Sequence, residues 1–194
     1  MKKIVIVLLT CCMVFLSASA NAFESKIGQG TTEVDSFLSA QALTMTSPGG
    51  ESTKTQLATV SLGLHNFVTE RLSLGGSLLV MGVQTQLPGS GNDTATVSTY
   101  LQLDAKYHFY EKGQQAIPYV GFSIGDALSR AQGTGSVDYS NALMWTPRAG
   151  LKYFVSESTS INMEVNYSQY TQNFGQGSVD ISSLSLQVGF ATYF

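Results

Sequence analysis

Beyond position 12 the chain carries no cysteine. A segment without thiols has no disulfide framework and no thiolate metal site. Charge is scarce as well: Lys, Arg, Asp and Glu make up 12% of the 194 residues, and the formal net charge is −3. That balance gives no basic footprint for nucleic acid. The longest apolar stretch, residues 4–16, falls short of the ~20 residues a membrane-crossing helix needs. No cluster of His, Asp and Glu has metal-ligand spacing, and no Gly-rich phosphate loop follows a strand. No cofactor and no metal are therefore expected.

The first 22 residues, MKKIVIVLLTCCMVFLSASANA, are different in kind. Two lysines, an apolar stretch and then small residues make the three-part pattern of a secretory signal peptide. Cleavage is expected after Ala20 or Ala22, and a lipoprotein signal fits less well because Thr10 and Cys11 sit poorly before the two cysteines. The organisation expected is a signal peptide at 1–22 and one domain at 23–194. Removing Lys2 and Lys3 with the leader takes the net charge to −5.

The rest alternates with period two. In INMEVNYSQ, Ile161, Met163, Val165 and Tyr167 take turns with Asn162, Glu164, Asn166 and Ser168. This is a strand with two unlike faces. The pattern predicts eight strands, near 33–45, 55–66, 71–84, 96–109, 116–128, 142–154, 159–170 and 179–194. Connections near 67–70, 111–115 and 155–158 are short. Those near 47–53, 86–95, 129–141 and 171–178 are longer and rich in Gly, Ser, Asn and Pro. Short turns at one end and longer loops at the other is the plan of an up-and-down transmembrane barrel, and an even strand count puts both termini on the short-turn side.

An internal echo supports the plan. GLHNFVTERLSL at 63–74 and GLKYFVSESTSI at 150–161 are offset by 87 residues. We read them as the same short-end hairpin used twice, four strands apart.

Alternation alone does not say which face is outside. A water-facing exterior normally carries dense charge, yet the polar face here is mostly Ser, Asn, Gln, Gly and Thr. Such a face suits a barrel interior, with the apolar face turned to lipid. Tyr107, Phe109, Tyr153, Phe190 and Phe194 fall near the short-turn ends and Trp145 and Tyr167 near the loop ends, as two interfacial belts would. Backbone N–H and C=O groups cannot face hydrocarbon unpaired, so the first strand must pair with the last. Phe194 then ends the closing strand at the interface, with no further domain expected after it.

GLHNFVTERLSLGG, GLKYFVSESTSINM, YHFYEKGQQAIPYVGFSIG and the terminal Phe together resemble the small outer-membrane β-barrel family of Gram-negative bacteria, the group that includes OmpX- and OmpW-like proteins. The resemblance covers essentially the whole chain after the leader. It implies an all-β, eight-stranded antiparallel barrel in the outer membrane, with periplasmic termini. Lipid and lipopolysaccharide would surround a monomer inserted by the barrel-assembly machinery. In that family the last strand resembles the assembly signal: Gln187, Gly189 and Phe194 match it, while Thr192 stands where an aromatic is usual.

Five inward charges are the candidate lumen network: Asp104 and Lys106, Arg148 and Lys152, and Glu164. With a hairpin centred on Ser156, Arg148 lies directly opposite Glu164. Paired charges of this kind plug a narrow barrel, since eight strands leave an interior that side chains fill. Function is then expected at the loops, with Tyr139, Tyr170 and Phe174 as contacts for a host or surface ligand in adhesion or envelope defence. The alternatives are a small-solute channel resembling OmpW and, third, a lipid A-modifying enzyme. Residues 138–145, DYSNALMW, resemble the His-x-Ser-Asn-Ala stretch of a lipid A deacylase, but Asp138 replaces the histidine, so Ser140 has no base beside it and no catalytic residue is assigned.

Overall fold

The computed structural model describes residues 27–46, 52–86, 93–132, 136–138, 143–174 and 177–194. The leader expected at 1–22 and the expected loop residue Tyr139 lie outside the described residues, as do Ser140, Asn141 and Ala142. The strands are β1 (Thr32–Thr46), β2 (Ser52–Phe67), β3 (Leu72–Gln86), β4 (Asp93–His108), β5 (Ala116–Gln132), β6 (Ser136–Asp138), β7 (Met144–Ser156), β8 (Thr159–Phe174) and β9 (Gly177–Tyr193). All pairings are antiparallel.

Eight strands form a closed ring in chain order, β1-β2-β3-β4-β5-β7-β8-β9, with β9 returning to β1. The three-residue β6 is an outgrowth that pairs with the far end of β5. The ring has a stagger. Starting at Ala191 on β9, the pairs run through Asp35, Gly63, Ser77, Gln102, Gly125, Met144 and Tyr170, and return to β9 at Ile181, ten residues away. Ten residues of rise against eight interstrand spacings gives a strand tilt of about 40°.

That tilt fixes the membrane zone. On β9 Leu184, Leu186, Val188 and Phe190, and just past its end Phe194, are exposed along the outer wall. Their span of ten residues climbs about 25 Å, the height of the apolar band on such barrels. The face is inverted relative to a soluble protein: Leu38, Leu62, Leu64, Leu101 and Leu103 point outward, while Gln102, Asp104, Lys106 and Lys152 are buried. The interfacial rings also pair, Tyr107 edge-on to Phe109 at 5.4 Å and Trp145 edge-on to Tyr167 at 6.0 Å.

The echo has a structural counterpart. Phe67 is opposite Ser73 in one hairpin and Phe154 opposite Ser160 in the other, the same register four strands on. Both phenylalanines turn into one buried cluster at the short-turn end, with Ile27, Ile117, Ala191 and Tyr193. The two glycines of the echo serve one purpose. A Cβ on Gly63 would meet the Asp35 carboxylate, and a Cβ on Gly150 would meet the Tyr119 ring. In each half, then, a side chain from the preceding strand lies across a glycine.

Three expectations need correction. The strands run on into the segments read as long loops, so Thr171–Phe174 and Gly177–Ser178 are paired strand, and Tyr170 and Phe174 stand opposite Ile181 and Gly177 in sheet rather than in a loop. Strands of 13–17 residues exceed the 9–11 that cross a membrane, so the sheet continues past the apolar band. The β7–β8 ladder is centred on Glu157 rather than Ser156, with an irregularity between Phe154 and Ser156, which leaves Arg148 opposite Asn166 and Glu164 opposite Gly150. The ninth strand, β6, was not anticipated.

Candidate functional site

The lumen is layered. At the short-turn end lies the apolar cluster just described. It is closed below by Ile27, which a turn at Gly28–Thr31 folds beneath the barrel: Thr31 N–H donates to the Gly28 carbonyl at 3.0 Å and Gly30 N–H to the Phe67 carbonyl at 2.8 Å. Gly30 has φ 89°, a conformation that favours glycine.

Above the cluster is a buried ionic layer. Glu33 on β1 receives Lys152 Nζ at 2.5 Å and Lys106 Nζ at 3.4 Å, and Lys106 also contacts Asp35. His65 stands between two carboxylates, its Nδ1 3.6 Å from Asp35 and its Nε2 3.2 Å from Asp104. Arg148 is 3.4 Å from Asp104 and also bonds the Ser123 hydroxyl, which in turn bonds Asp104. Tyr119 donates to Glu164 at 2.8 Å, and Lys152 reaches the Tyr193 hydroxyl at 3.1 Å. Lysine ammoniums also lie over aromatic faces, Lys152 at 5.3 Å from Tyr119 and 5.4 Å from Tyr193.

All five charges read from the sequence stand in this layer. The register places Arg148 two residues from direct opposition to Glu164, yet the pair meets diagonally at 3.7 Å. The reason is local: the residue facing Glu164 is Gly150, which has no side chain to intervene, and a long arginine spans the diagonal. What sequence reading missed is Glu33, Asp35 and His65. Their inward phase was legible, because they alternate with exposed Val34 and Leu64. Their partners were not, because Lys152 and Glu33 are 119 residues apart and meet only when the ring closes.

Closure also gathers three potential metal ligands, Glu33, Asp35 and His65, within 4.8 Å of one another. Lys106 contacts both carboxylates, so a cation from the chain itself already stands there.

The third layer is uncharged. Thr59, Ser77, Gln102, Thr146, Asn166, Ser185 and Gln187 surround a cavity of about 30 Å³, with Arg148 at its edge. That is room for one or two waters. A fourth layer, toward the loops, is apolar: Met81, Tyr100 and Met144 are buried together, packed by Leu57, Leu79, Val83 and Ala127.

The proposed assembly-signal residues divide by face. Gln187 is inward and buried, Phe194 is outward with 74% of its surface exposed, and its backbone closes on Thr32 by bonds of 2.9 and 3.1 Å. Gly189 sits where a Cβ would strike the Ser36 carbonyl across the closing seam. His65 and His108 both lie buried near the short-turn end.

The closing seam is itself uneven. β1 pairs with β2 over all fifteen of its residues, but with β9 only from Glu33 to Leu38, against Tyr193 to Val188. Above that point Gln41 Nε2 reaches across to the Leu184 carbonyl at 2.8 Å. Leu184 marks the top of the apolar band, so the ladder ends inside it.

Known proteins share this architecture. The crystal structure of neisserial surface protein A (NspA), from Neisseria, aligns with a TM-score of 0.57 at 15% identity, covering 86% of this chain and 99% of that one. OprG, an outer membrane protein of Pseudomonas aeruginosa, aligns with a TM-score of 0.51 at 13% identity, covering 86% and 97%. No curated protein matches the chain in sequence. The family profile described as outer membrane protein beta-barrel domain matches residues 6–193, and with its closed, inside-out barrel the chain belongs to that family of outer-membrane proteins.

Proposed function

We propose that the protein is a non-conducting outer-membrane barrel whose work is structural and interactive, with the short turns and both termini in the periplasm and the long strand ends carried outward as sheet. The observation that supports this best is the filled lumen. An ionic layer and an uncharged polar layer lie between two apolar layers, and the cavity in the uncharged layer is about 30 Å³. Surface contacts in adhesion or envelope defence would then fall to the outer loops and the strand ends near Tyr139, Tyr170 and Phe174. Lipid and lipopolysaccharide surround a monomer, inserted by the barrel-assembly machinery through the Gln187–Phe194 strand. A leader at 1–22 would deliver it there. A non-enzymatic role follows from the same layering, since both histidines are committed to the lower lumen and Asp138 takes the place of a base in the DYSNALMW segment.

The test is single-channel recording of the refolded protein in a planar bilayer, beside an Arg148→Ala variant. A silent bilayer with folding confirmed by heat-dependent gel mobility is the expected result. Discrete current steps that change in the variant would overturn it.

A second reading, a route for small apolar solutes resembling OmpW, is favoured by one observation. The apolar fourth layer lies in the same half of the barrel as the short β1–β9 ladder, whose upper part is bridged by Gln41. A solute reaching Met81 and Met144 from the loop end could leave sideways into the membrane there. Uptake of an apolar dye into proteoliposomes, lost when a disulfide is engineered between positions 40 and 186, would support it. Uptake that is the same in empty vesicles would sink it.

A further inference from the structure

Above Leu38 and Val188 the two closing strands run on without a ladder between them, β1 to Thr46 and β9 from Gly177. The bonds at the base fix which backbone groups face this seam. Thr32 and Phe194 exchange N–H···O bonds in both directions, so the even-numbered residues of β1 and β9 point their N–H and C=O groups at one another. Continued upward, that register sets Ala40 against Leu186 and Ala42 against Leu184. The bond from Gln41 Nε2 to the Leu184 carbonyl agrees with this phase. Ala40 and Leu186 have no ladder partner across the seam among the described residues, and both lie below Leu184, within the apolar band. Open backbone groups in hydrocarbon require a partner. Ser39, the first residue past the end of the ladder, adds a buried hydroxyl that no described group bonds.

Beside the seam the outer wall is hollowed. Ala40, Ala58 and Gly82 stand directly opposite one another on β1, β2 and β3, and they floor an open hollow of about 530 Å³. A Cβ on Gly82 would meet nothing nearer than 4.0 Å. One step below, Leu38, Val60 and Val80 form an exposed aliphatic ledge. The exposed side chains of Gln56 and Gln84 edge the hollow above. Aliphatics below and amides above mark the boundary between acyl chains and headgroups.

From this placement we infer that the seam and its hollow are a binding site for lipopolysaccharide, held by an amide-linked acyl chain. The chemistry selects the ligand. An open strand edge presents donors and acceptors together, so its complement must carry both. A glycerophospholipid enters the membrane through ester linkages, which accept hydrogen bonds and cannot donate them. Lipopolysaccharide carries amide-linked, hydroxylated chains next to its sugars, and these do both at the depth of Ala40 and Leu186. The hollow then takes the sugar, against the Gln56 amide. A second copy related by a two-fold along the membrane normal would bring hollow against hollow and fill neither. Bound lipid closes the upper seam from the membrane side, in keeping with a barrel that does not conduct. The inference rests on the reading that the long strand ends point outward, which puts the seam in the leaflet where lipopolysaccharide lies.

The test is amide hydrogen exchange, resolved by NMR, on the refolded protein in phosphatidylcholine nanodiscs. Added lipopolysaccharide should slow exchange at Ala40 and Leu186 about tenfold, the effect of one hydrogen bond each. Phosphatidylglycerol, added to the same negative charge, should not. Ala40→Pro removes a seam-facing N–H and no bond to β2, so the barrel should keep its heat-dependent mobility while Leu186 loses its protection. Ala58→Leu fills the hollow without touching the strand edge and should weaken the slowing in the same way. Exchange equally fast with and without lipopolysaccharide overturns the site and leaves the gap to water. Equal slowing by phosphatidylglycerol overturns the amide recognition, and slowing that follows protein concentration instead gives the seam to a second copy. Both leaflets of a nanodisc carry the lipid, so none of these outcomes depends on orientation in the cell. Orientation is read separately: labelling of a Glu111→Cys protein by an impermeant maleimide on intact cells would put the short turns outside and overturn lipopolysaccharide as the ligand.

Discussion

The lower and upper halves of the lumen are held by different means. In the lower half, side chains tie together strands far apart in sequence: Lys152 to Glu33, Lys106 to Asp35, Arg148 to Asp104. In the upper half the buried side chains that are described are uncharged, and the walls depend on backbone ladders, hydroxyls and the Met81–Tyr100–Met144 cluster. Two irregularities fall in the upper half as well, beside the one at Phe154/Ser156 in a short-end turn. The β4–β5 register shifts at Thr99/Tyr100, and the β1–β9 ladder stops above Leu38. The difference teaches that the ionic layer acts as a cross-tie at the point of closure. Where it ends, the closing seam loosens.

Substitutions can break this comparison, and Glu33 should show the largest effect. Glu33→Gln leaves Lys106 and Lys152 short of a shared carboxylate inside the barrel, and breaking a buried ion pair costs about 3–5 kcal/mol. Urea unfolding in vesicles, followed by the fluorescence of Trp145, should show the loss, and a midpoint like that of the parent would refute the cross-tie. Arg148→Ala should cost less, about 2–3 kcal/mol. Glu164 keeps Tyr119, and Asp104 keeps His65 and Ser123.

A pair of glycine substitutions sharpens the contrast by position. Gly150→Ala pushes a methyl group to 2.5 Å from the Tyr119 ring inside the lower lumen, whereas the nearest atom to a Cβ on Gly82, on the outer wall of the upper half, is 4.0 Å away. Overpacking predicts about 1–3 kcal/mol for the first and within about 0.5 kcal/mol for the second. Equal effects in the same assay would count against a tight lower layer. The smallest expected change is Gln41→Ala, about 1 kcal/mol for one lost hydrogen bond. Hydrogen exchange of the Leu184–Gln187 amides should rise without a change at the base of the seam. Exchange unchanged there would mean that Gln41 does not hold the seam.

Much of the barrel was legible from period two alone. Alternating Leu101, Leu103 and Ala105 against Gln102, Asp104 and Lys106 fixes the strand and its two faces, because a one-residue slip would turn every charge to the lipid. The inward set on β7 and β8 was equally plain, and the echo of 63–74 in 150–161 located two hairpins of one register. Strand ends were less legible. Ser, Asn, Gln and Gly read as loop from composition, yet an antiparallel ladder continues through Gly177–Asp180 and Thr171–Phe174 because each edge already has its neighbour.

The sequence by itself determined the inside-out pattern, the strand number in the wall and the identity of the inward charges on β4, β7 and β8. These are local properties, set by the alternation of side chains along a single strand. Only the tertiary structure decided which charges meet. A stagger of ten residues and the centre of each turn set the height of every side chain relative to strands across the ring, and moving the β7–β8 centre from Ser156 to Glu157 moves each partner by two places. It also decided that Glu33, Asp35 and His65 complete the network, since contact between residues 33 and 152 exists only once the last strand has closed on the first.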